Sequence, residues 1–213
     1  MLLEFVEGPL WYVALTIFVV GVIWRIFSIV HISIKKDLAP AKGSAVKGAV
    51  IANVRRFFPR KEILSKGRFQ IIAGYLFHVG LFLLLFFAAP HILFIEEKLL
   101  GISWPAMPHW AFIVSAEMAI AGLIMLFIWR LIHPVLKQIS TKDDYLGSVL
   151  VFIVMLTGCL ALGESFAGLR AFHMLTVELL MIYFPFSRLM HAFTFIISRG
   201  YTGAALARRG VGV

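Results

Sequence analysis

Apolar residues are concentrated in five long runs along the chain. They cover Trp11–Ile34, Gln70–Ile95, Trp110–His133, Tyr145–Leu162 and Phe172–Ile197. Crossing the hydrocarbon core of a bilayer takes about 20 apolar residues in a helix. Backbone polar groups inside lipid must bond within their own segment, so the runs are expected to be helices. The pattern predicts an all-α integral membrane protein, a bundle of five transmembrane helices forming one domain over residues 1–213.

Composition supports this interpretation. Hydrophobic residues make up 61% of the 213 residues, more apolar surface than a soluble domain of this size can bury. The first run is too long for a signal peptide and lacks a basic stretch before it, so we expect it to be retained. The one cysteine, Cys159, lies in the middle of the fourth run, which excludes a disulfide within this chain.

The net charge of +9 is unevenly distributed. Residues 35–68 contain ten Lys and Arg against two acids, whereas Glu4, Glu7, Glu96 and Glu97 lie in segments on the other side. The positive-inside rule therefore predicts a periplasmic N-terminus and a cytoplasmic C-terminus, in the inner membrane of a bacterium or archaeon. A cationic loop facing the membrane surface explains the charge without nucleic acid, which we do not expect as a partner.

The basic loop between the first two helices is about 35 residues long. Its part Val46–Lys66 alternates apolar clusters with basic residues. One interpretation is a segment that lies on anionic lipid headgroups, and the other is a docking surface for a cytoplasmic partner subunit. The two are compatible, because a partner would sit close to the same membrane surface.

Histidine is costly inside a membrane and commonly marks function there. The predicted topology sorts the seven histidines into two levels. Four lie toward the cytoplasm and three toward the outside: His31, His78, His133 and His191, and then His91, His109 and His173.

The predicted fifth helix carries two of these histidines. His173 and His191 are 18 residues apart, which in one continuous helix is five turns and about 27 Å on the same face. That separation suits two cofactors stacked across the membrane, and imidazoles from two helices can bind a haem iron from both faces. One partner histidine per haem is then needed on another helix.

The second helix supplies these partners, because it runs antiparallel to the fifth. His78 is level with His191, and His91 is level with His173. In an ideal helix, His91 would be rotated by about 220° from His78, away from the fifth helix. Pro90 could re-aim it by kinking the helix. His109, at the outer mouth of the third helix, is the alternative outer ligand.

Two motifs around these histidines resemble the gamma subunit of respiratory nitrate reductase, a five-helix cytochrome b. The first is Leu76–Gly80, LFHVG, and the second is Phe184–His191, FPFSRLMH. The stretch Arg130–Tyr145, RLIHPVLKQISTKDDY, is similar to that family's third loop, and the step from His173 to His191 equals its spacing. The likeness extends over nearly the whole chain.

The resemblance implies an electron-transfer role with two b haems. It implies that His78 and His191 bind the haem near the cytoplasm and that His173 binds the outer one. The family's outer ligand on the second helix corresponds here to Ala88, three residues before His91. The long basic loop makes the chain more similar to relatives in the redox complexes of sulfate reducers and sulfur oxidisers, which implies a cytoplasmic iron–sulfur subunit, other membrane subunits and a periplasmic multihaem cytochrome c as partners.

Charged residues near the predicted haems are candidates for supporting roles. Haem propionates need cations in a low dielectric, and Arg188 is the first candidate, followed by Arg25 and Arg130. Snorkelling to the headgroups is the alternative for the latter two. A site for menaquinone or ubiquinone near the outer haem is predicted from four residues: Lys98, His109, Glu117 and Glu178. For the two glutamates, a protonated side chain bonded to a neighbouring helix is the alternative.

The sequence thus predicts a membrane cytochrome b that carries electrons between quinone or a periplasmic cytochrome c and a cytoplasmic iron–sulfur protein. It is an electron-transfer subunit, with no catalytic residue assigned. The competing hypothesis is a haem-free membrane anchor or small transporter. The chain offers no inverted repeat or pair of broken helices in support of a transporter.

Overall fold

Five helical segments are long and apolar enough to cross a membrane in the computed structural model of the chain. They are Leu2–Val30, Gly67–Phe87, His109–Ile132, Lys142–Leu162 and Gly168–Phe186. Helices account for 85% of the structure, and the described residues contain no strand. The structure describes residues 2–32, 39–59, 61–163 and 167–212, without the side chains of Glu62, Lys66 and Ala167. The prediction of five apolar spans in an all-α chain is confirmed.

The helices follow in this order: α1 Leu2–Phe5, α2 Trp11–Val30, α3 Ala45–Arg55, α4 Lys61–Phe87, α5 Ala89–Ile95, α6 His109–Ile132, α7 Pro134–Ile139, α8 Lys142–Leu162, α9 Ala167–Tyr183 and α10 His191–Arg208. Single turns of π-helix cover Val6–Leu10 and Glu96–Leu100, and 3₁₀ turns cover Phe184–Phe186 and Arg188–Met190. Residues 33–38 lie outside the described residues, and with them the predicted end of the first span and start of the basic loop.

The chain, predicted as one domain, groups into two compact units. The first contains the residues up to Val6 and Gly67–Leu180, and the second contains Glu7–Lys66 and the residues from Met181. One boundary falls at Gly67, whose φ of −120° and ψ of 24° interrupt α4.

Small residues bring α4 and α6 together in the first unit. A Cβ atom at Gly122 would lie 2.5 Å from the backbone nitrogen of Phe77, and one at Gly80 would lie 2.5 Å from the carbonyl oxygen of Ser115. In lipid, where apolar side chains gain little by pairing with each other, such close approach supplies the packing contacts between helices. Gly122 and Gly80 thus fix the contact between these two spans.

The second and fifth spans are both interrupted, the second near the kink considered at Pro90 and the fifth where a continuous helix was predicted. The second ends at Phe87, and the chain restarts as α5 after an extended Ala88 with ψ of 130°. The fifth ends at Tyr183, followed by two 3₁₀ turns joined by an extended Ser187 with ψ of 172°. A single helix over residues 172–197 is therefore wrong, because Pro185 and the extended Ser187 prevent helical continuation.

This interruption removes the premise that placed His173 and His191 on one face. The five-turn, 27 Å relation holds only for an unbroken helix, and seven non-α residues separate α9 from α10. In the second unit, the first 3₁₀ turn packs on α2: the ring of Phe184 lies 5.4 Å from that of Phe18, and a Cβ at Gly21 would lie 2.6 Å from Cβ of Pro185.

Part of the predicted basic loop forms α3, which packs against α10 in the second unit. The amide of Asn53 donates to the carbonyl of Ile196 at 3.2 Å. The guanidinium of Arg199 lies over the rings of Phe57 and Phe195, 4.8 and 5.1 Å from their centres. These contacts tie the loop to the C-terminal helix.

Candidate functional site

Local sequence explains why the helix breaks just before His91. Pro90 has no N–H to donate to the carbonyl of Phe86, four residues earlier, and prolines are favoured in the first turn of a helix. The extended Ala88 lets α5 start in a new direction with Pro90 in that first turn. His91 therefore does not follow the rotation of α4.

The break leaves carbonyl oxygens at the end of α4 without helical donors, and the segment before α6 supplies donors to two of them. The indole N–H of Trp104 donates to the carbonyl of Phe86 at 2.7 Å, and the backbone N–H of Met107 donates to that of Phe87 at 2.9 Å. An unpaired backbone group inside a membrane would cost several kcal/mol. These two hydrogen bonds therefore lower the free-energy cost of the break.

The imidazole of His91 is held by a backbone carbonyl across the break. Its Nδ1 lies 2.9 Å from the carbonyl oxygen of Leu84. A carbonyl oxygen can only accept, so Nδ1 carries the proton that it donates. In the neutral ring the lone pair is then on Nε2, the nitrogen suited to bind a metal ion.

The imidazole of His173 contacts a threonine that favours the same tautomer. Its Nδ1 lies 3.1 Å from the hydroxyl oxygen of Thr157, which donates its single proton to the carbonyl of Val154 at 3.0 Å. With that proton directed at Val154, the hydroxyl oxygen can accept from Nδ1–H of His173. Thr176 lies 3.0 Å from the same oxygen and donates to the carbonyl of His173 at 2.8 Å. The ring and its backbone are both anchored.

Gly158 provides the space for this ring beside α8. A Cβ at position 158 would lie 3.0 Å from Cε1 of His173 and 3.4 Å from both ring nitrogens. Any side chain here would press on the imidazole. Glycine thus lets the ring lie directly against the backbone of α8.

His91 and His173 face each other within the first unit. Their ring centres are 6.3 Å apart and their planes differ by 21°. The structure thus brings together the two residues predicted to bind the outer haem. In the ranges that the structure describes, no group of three or more His, Cys, Asp or Glu side chains converges on a metal position. A separation of 6.3 Å between the ring centres is compatible with one metal ion bound by both imidazoles.

The two histidines predicted for the inner haem have the same tautomer. Nδ1 of His78 donates to the carbonyl of Gly74 at 2.7 Å, and Nδ1 of His191 donates to the carbonyl of Arg188 at 2.9 Å. His78 belongs to the first unit and His191 to the second. In each neutral ring the lone pair is therefore on Nε2, the nitrogen suited to bind a metal ion.

Of the three remaining histidines, His31 shows the same bond from Nδ1 to a backbone carbonyl, and His133 does not. His133 caps α7, with Nδ1 accepting from the N–H of Leu136 at 3.4 Å, so its neutral ring is protonated on Nε2. His31 donates to the carbonyl of Phe27 at 3.0 Å and stacks on that ring. His109, the alternative outer ligand, is exposed at the first residue of α6. Of His91 and His109, the former is the one that faces His173.

The three candidate arginines occupy different settings. Arg130 donates to the hydroxyl of Ser140 at 2.8 Å and lies 3.4 Å from Oδ1 of Asp144, which ties together the turn from α6 to α8. Arg188 is exposed on the 3₁₀ turn before α10, and its carbonyl holds the His191 ring. Arg25 is exposed on α2. The contacts within the turn from α6 to α8 therefore explain the position of Arg130 without a haem propionate.

The four residues predicted for a quinone site do not share one environment. Lys98, His109 and Glu117 are exposed, whereas the side chain of Glu178 is only 1% exposed. Both carboxyl oxygens of Glu178 lack a hydrogen-bond partner in the described part of the chain. The predicted bond from Glu178 to a neighbouring helix is thus absent from these residues.

Sequence analysis missed three residues that support the histidine pair. Thr157 and Thr176 were detectable as polar side chains within apolar runs, which must find partners inside a membrane. Trp104 gave no local signal, since its partner is a carbonyl freed by a break 16 residues earlier.

Comparison with known proteins finds a relative over nearly the whole chain. No family model matches this chain. A protein of Nitratidesulfovibrio vulgaris strain Hildenborough is 30% identical over 215 residues, which cover 97% of this chain and 94% of the relative. The name of that relative, "Protein", describes no activity.

Proposed function

This chain belongs to the same family as the Nitratidesulfovibrio vulgaris protein, and we propose that it is a membrane cytochrome b subunit with two haem groups. The relation between His91 and His173 carries the proposal. Two imidazoles that bind one iron ion through Nε2 atoms pointing at each other would have ring centres about 6 Å apart. The observed 6.3 Å fits that requirement.

The donor atoms also fit the group. All four proposed ligands, His78, His91, His173 and His191, direct Nδ1–H at an oxygen and carry the lone pair on Nε2. In a metal site such second contacts fix the ring and raise the basicity of the ligating nitrogen. His91 and His173 would hold the outer haem, and the family resemblance alone assigns His78 and His191 to the inner one. Bound haem would supply one-electron redox chemistry.

The chain's own residues would bind, orient and shield that chemistry. Arg188 and Arg25 would pair with propionates, whereas Arg130 is engaged by Ser140 and Asp144. Thr157 and the carbonyl of Leu84 would keep the two outer rings from rotating. The apolar spans would keep water from the site, which favours electron over proton chemistry there.

The proposed role in a complex follows from the charge distribution and the family resemblance. With the N-terminus in the periplasm and residues 35–68 in the cytoplasm, the chain would link a quinone or periplasmic cytochrome c to a cytoplasmic iron–sulfur subunit. A C-terminal fluorescent protein tests the orientation, since it should fluoresce in the cytoplasm. Reduction of the purified protein by menaquinol or ubiquinol, compared with reduction by a cytochrome c, tests the electron donor.

Optical spectroscopy tests the haem proposal directly. The protein, expressed with haem supply and purified, should show b-type bands in a reduced-minus-oxidised spectrum and two haems per chain in a pyridine haemochrome assay. A folded protein without haem would refute the proposal and leave the anchor or transporter. Loss of one haem in His191→Ala, with the other retained, would support the separate inner pair; no loss would contradict it.

A further inference from the structure

One face of α3 packs closely against α10. A Cβ atom at Gly203 would collide with Cβ of Ala52 and with the carbonyl oxygen of Gly48, and one at Gly48 would collide with Cβ of Ala207. Each helix thus contributes a small residue followed four positions later by another. Backbones that approach this closely leave no freedom for α3 to rotate about its axis.

The opposite face of α3 is apolar and exposed. Val46, Val50 and Val54, spaced by four residues, are 75%, 59% and 57% exposed. Four residues further on, just beyond the end of α3, Phe58 is 74% exposed. At 100° per residue, Val50 lies about half a turn around the helix from Gly48. An apolar stripe on the outward face of a helix that already has a packing partner needs a second apolar environment.

A basic cavity lies next to this stripe. It has a volume of about 360 Å³ between the start of α3 and the end of α10. Lys42, Lys47 and Arg55 line it, and none of the described residues around it is acidic. The N–H of Lys42 donates to the carbonyl of Arg208 at 2.8 Å, which fixes this corner of the cavity. On the helical projection, Lys47 separates the cavity from Val54 and Val50.

We propose that α3 lies in the headgroup layer of the membrane and binds an anionic phospholipid. The phosphate occupies the cavity of Lys42, Lys47 and Arg55, and acyl chains cover the stripe of Val46, Val50 and Val54. This is independent of haem binding.

Three observations favour lipid over a protein partner. Helix α3 belongs to the connection between two spans, Leu2–Val30 and Gly67–Phe87, so it cannot be far from the bilayer surface. Residues 35–68 carry ten basic and two acidic residues, complementary to an anionic leaflet. Cations flanking an apolar stripe are typical of helices that lie in the membrane interface.

Native mass spectrometry of the full-length protein in detergent tests the headgroup site. After delipidation and titration with phosphatidylglycerol, one molecule should remain bound, and phosphatidylcholine should not replace it. The triple variant Lys42→Gln, Lys47→Gln, Arg55→Gln should weaken binding by about fivefold for each cation removed.

The matched control removes three exposed cations that do not line the cavity: Lys61→Gln, Arg68→Gln and Lys137→Gln. It should bind phosphatidylglycerol like the original protein. Equal losses in both triple variants would overturn the site, because they would mean diffuse attraction by total charge. Displacement of the lipid by excess inorganic phosphate alone would overturn the contribution of the stripe.

A spin label tests the position of α3. The label is placed at Val50→Cys in a Cys159→Ser background, in nanodiscs containing phosphatidylglycerol. Its spin relaxation should be accelerated more by oxygen than by a water-soluble nickel chelate. A label at Gly212→Cys, in open space near the C-terminus, should show the reverse. Equal nickel access at both positions would overturn the proposal. The proposal would also be overturned if, in lipid-free detergent, a co-purified polypeptide shielded the Val50 label from the nickel chelate, because the occupant would then be a protein.

Discussion

The hydroxyl oxygen of Thr157 lies 3.1 Å from Nδ1 of His173, and the same hydroxyl donates a hydrogen bond to the carbonyl of Val154. This arrangement favours one tautomer for His173 and one orientation for its ring. A threonine within an apolar span therefore favours one nitrogen of His173 for binding a metal ion.

Replacing Thr157 with valine should impair the outer haem site. Valine has nearly the same shape but cannot accept from Nδ1, so the ring loses its anchor. Loss of such a second contact typically weakens metal affinity by about 10–100-fold. Haem titration into the apoprotein measures the loss, and Thr157→Ser, which keeps the hydroxyl, should behave like the original protein. Unchanged affinity in Thr157→Val would contradict the assigned role.

Single alanine variants of His91 and His173 should each remove the same haem. The haemochrome assay should fall from two haems per chain to one in either variant, and the double variant should lose no more. His109→Ala should retain both, because His109 is exposed and His91 is the residue that faces His173. Loss of a haem in His109→Ala with retention in His91→Ala would transfer the ligand role to His109.

Gly158→Ala should disturb the His173 ring without removing a ligand. The new Cβ would lie 3.0 Å from Cε1, closer than side chains normally approach, so the imidazole must tilt. We expect a shifted midpoint potential or altered low-spin electron paramagnetic resonance signal for one haem. Gly8→Ala is the control, since nothing lies within 4 Å of a Cβ there and Gly8 supports none of the proposed ligands. Identical spectra for both variants would argue against a ring packed on Gly158.

Gly122→Ala should destabilise the contact between α4 and α6. Its Cβ would lie 2.5 Å from the backbone nitrogen of Phe77, and a backbone atom cannot move aside as a side chain can. Overpacking of this kind costs about 1–3 kcal/mol. Thermal unfolding in detergent should show a lower midpoint than for Gly74→Ala, whose added methyl meets no neighbour. A midpoint equal to that of the control would show that the two helices are less closely packed.

Long apolar runs predicted the spans well, because bilayer thickness constrains both length and composition. The third span was predicted as residues 110–133 and is observed as His109–Ile132. The prediction that Pro90 re-aims His91 agrees with the break at Ala88, since a missing N–H acts locally. Which way the ring would then face could not be read from sequence, because it depends on the carbonyl of Leu84.

The break in the fifth span was missed although Pro185 stood in its sequence. The run from Phe184 to Met190 is mainly apolar, so its composition matched a continuous helix. The pairing of α3 with α10 was also missed: Gly48 with Ala52 and Gly203 with Ala207 are short patterns, common by chance and about 150 residues apart. Neither element can recognise the other from its local sequence. The orientation of the termini, the haems and the partners stay predictions.

The hydrogen bonds from Trp104 and Met107 give the segment between α5 and α6 an unexpected influence. Its two N–H groups donate to the carbonyls of Phe86 and Phe87, at the break that sets the direction of the His91 side chain. A nanobody bound to it, or a protease cut within it, would act on the α4 terminus from outside the spans. The absorption spectrum of the proposed outer haem would then change. Ligands of this segment could therefore be used to control the redox site.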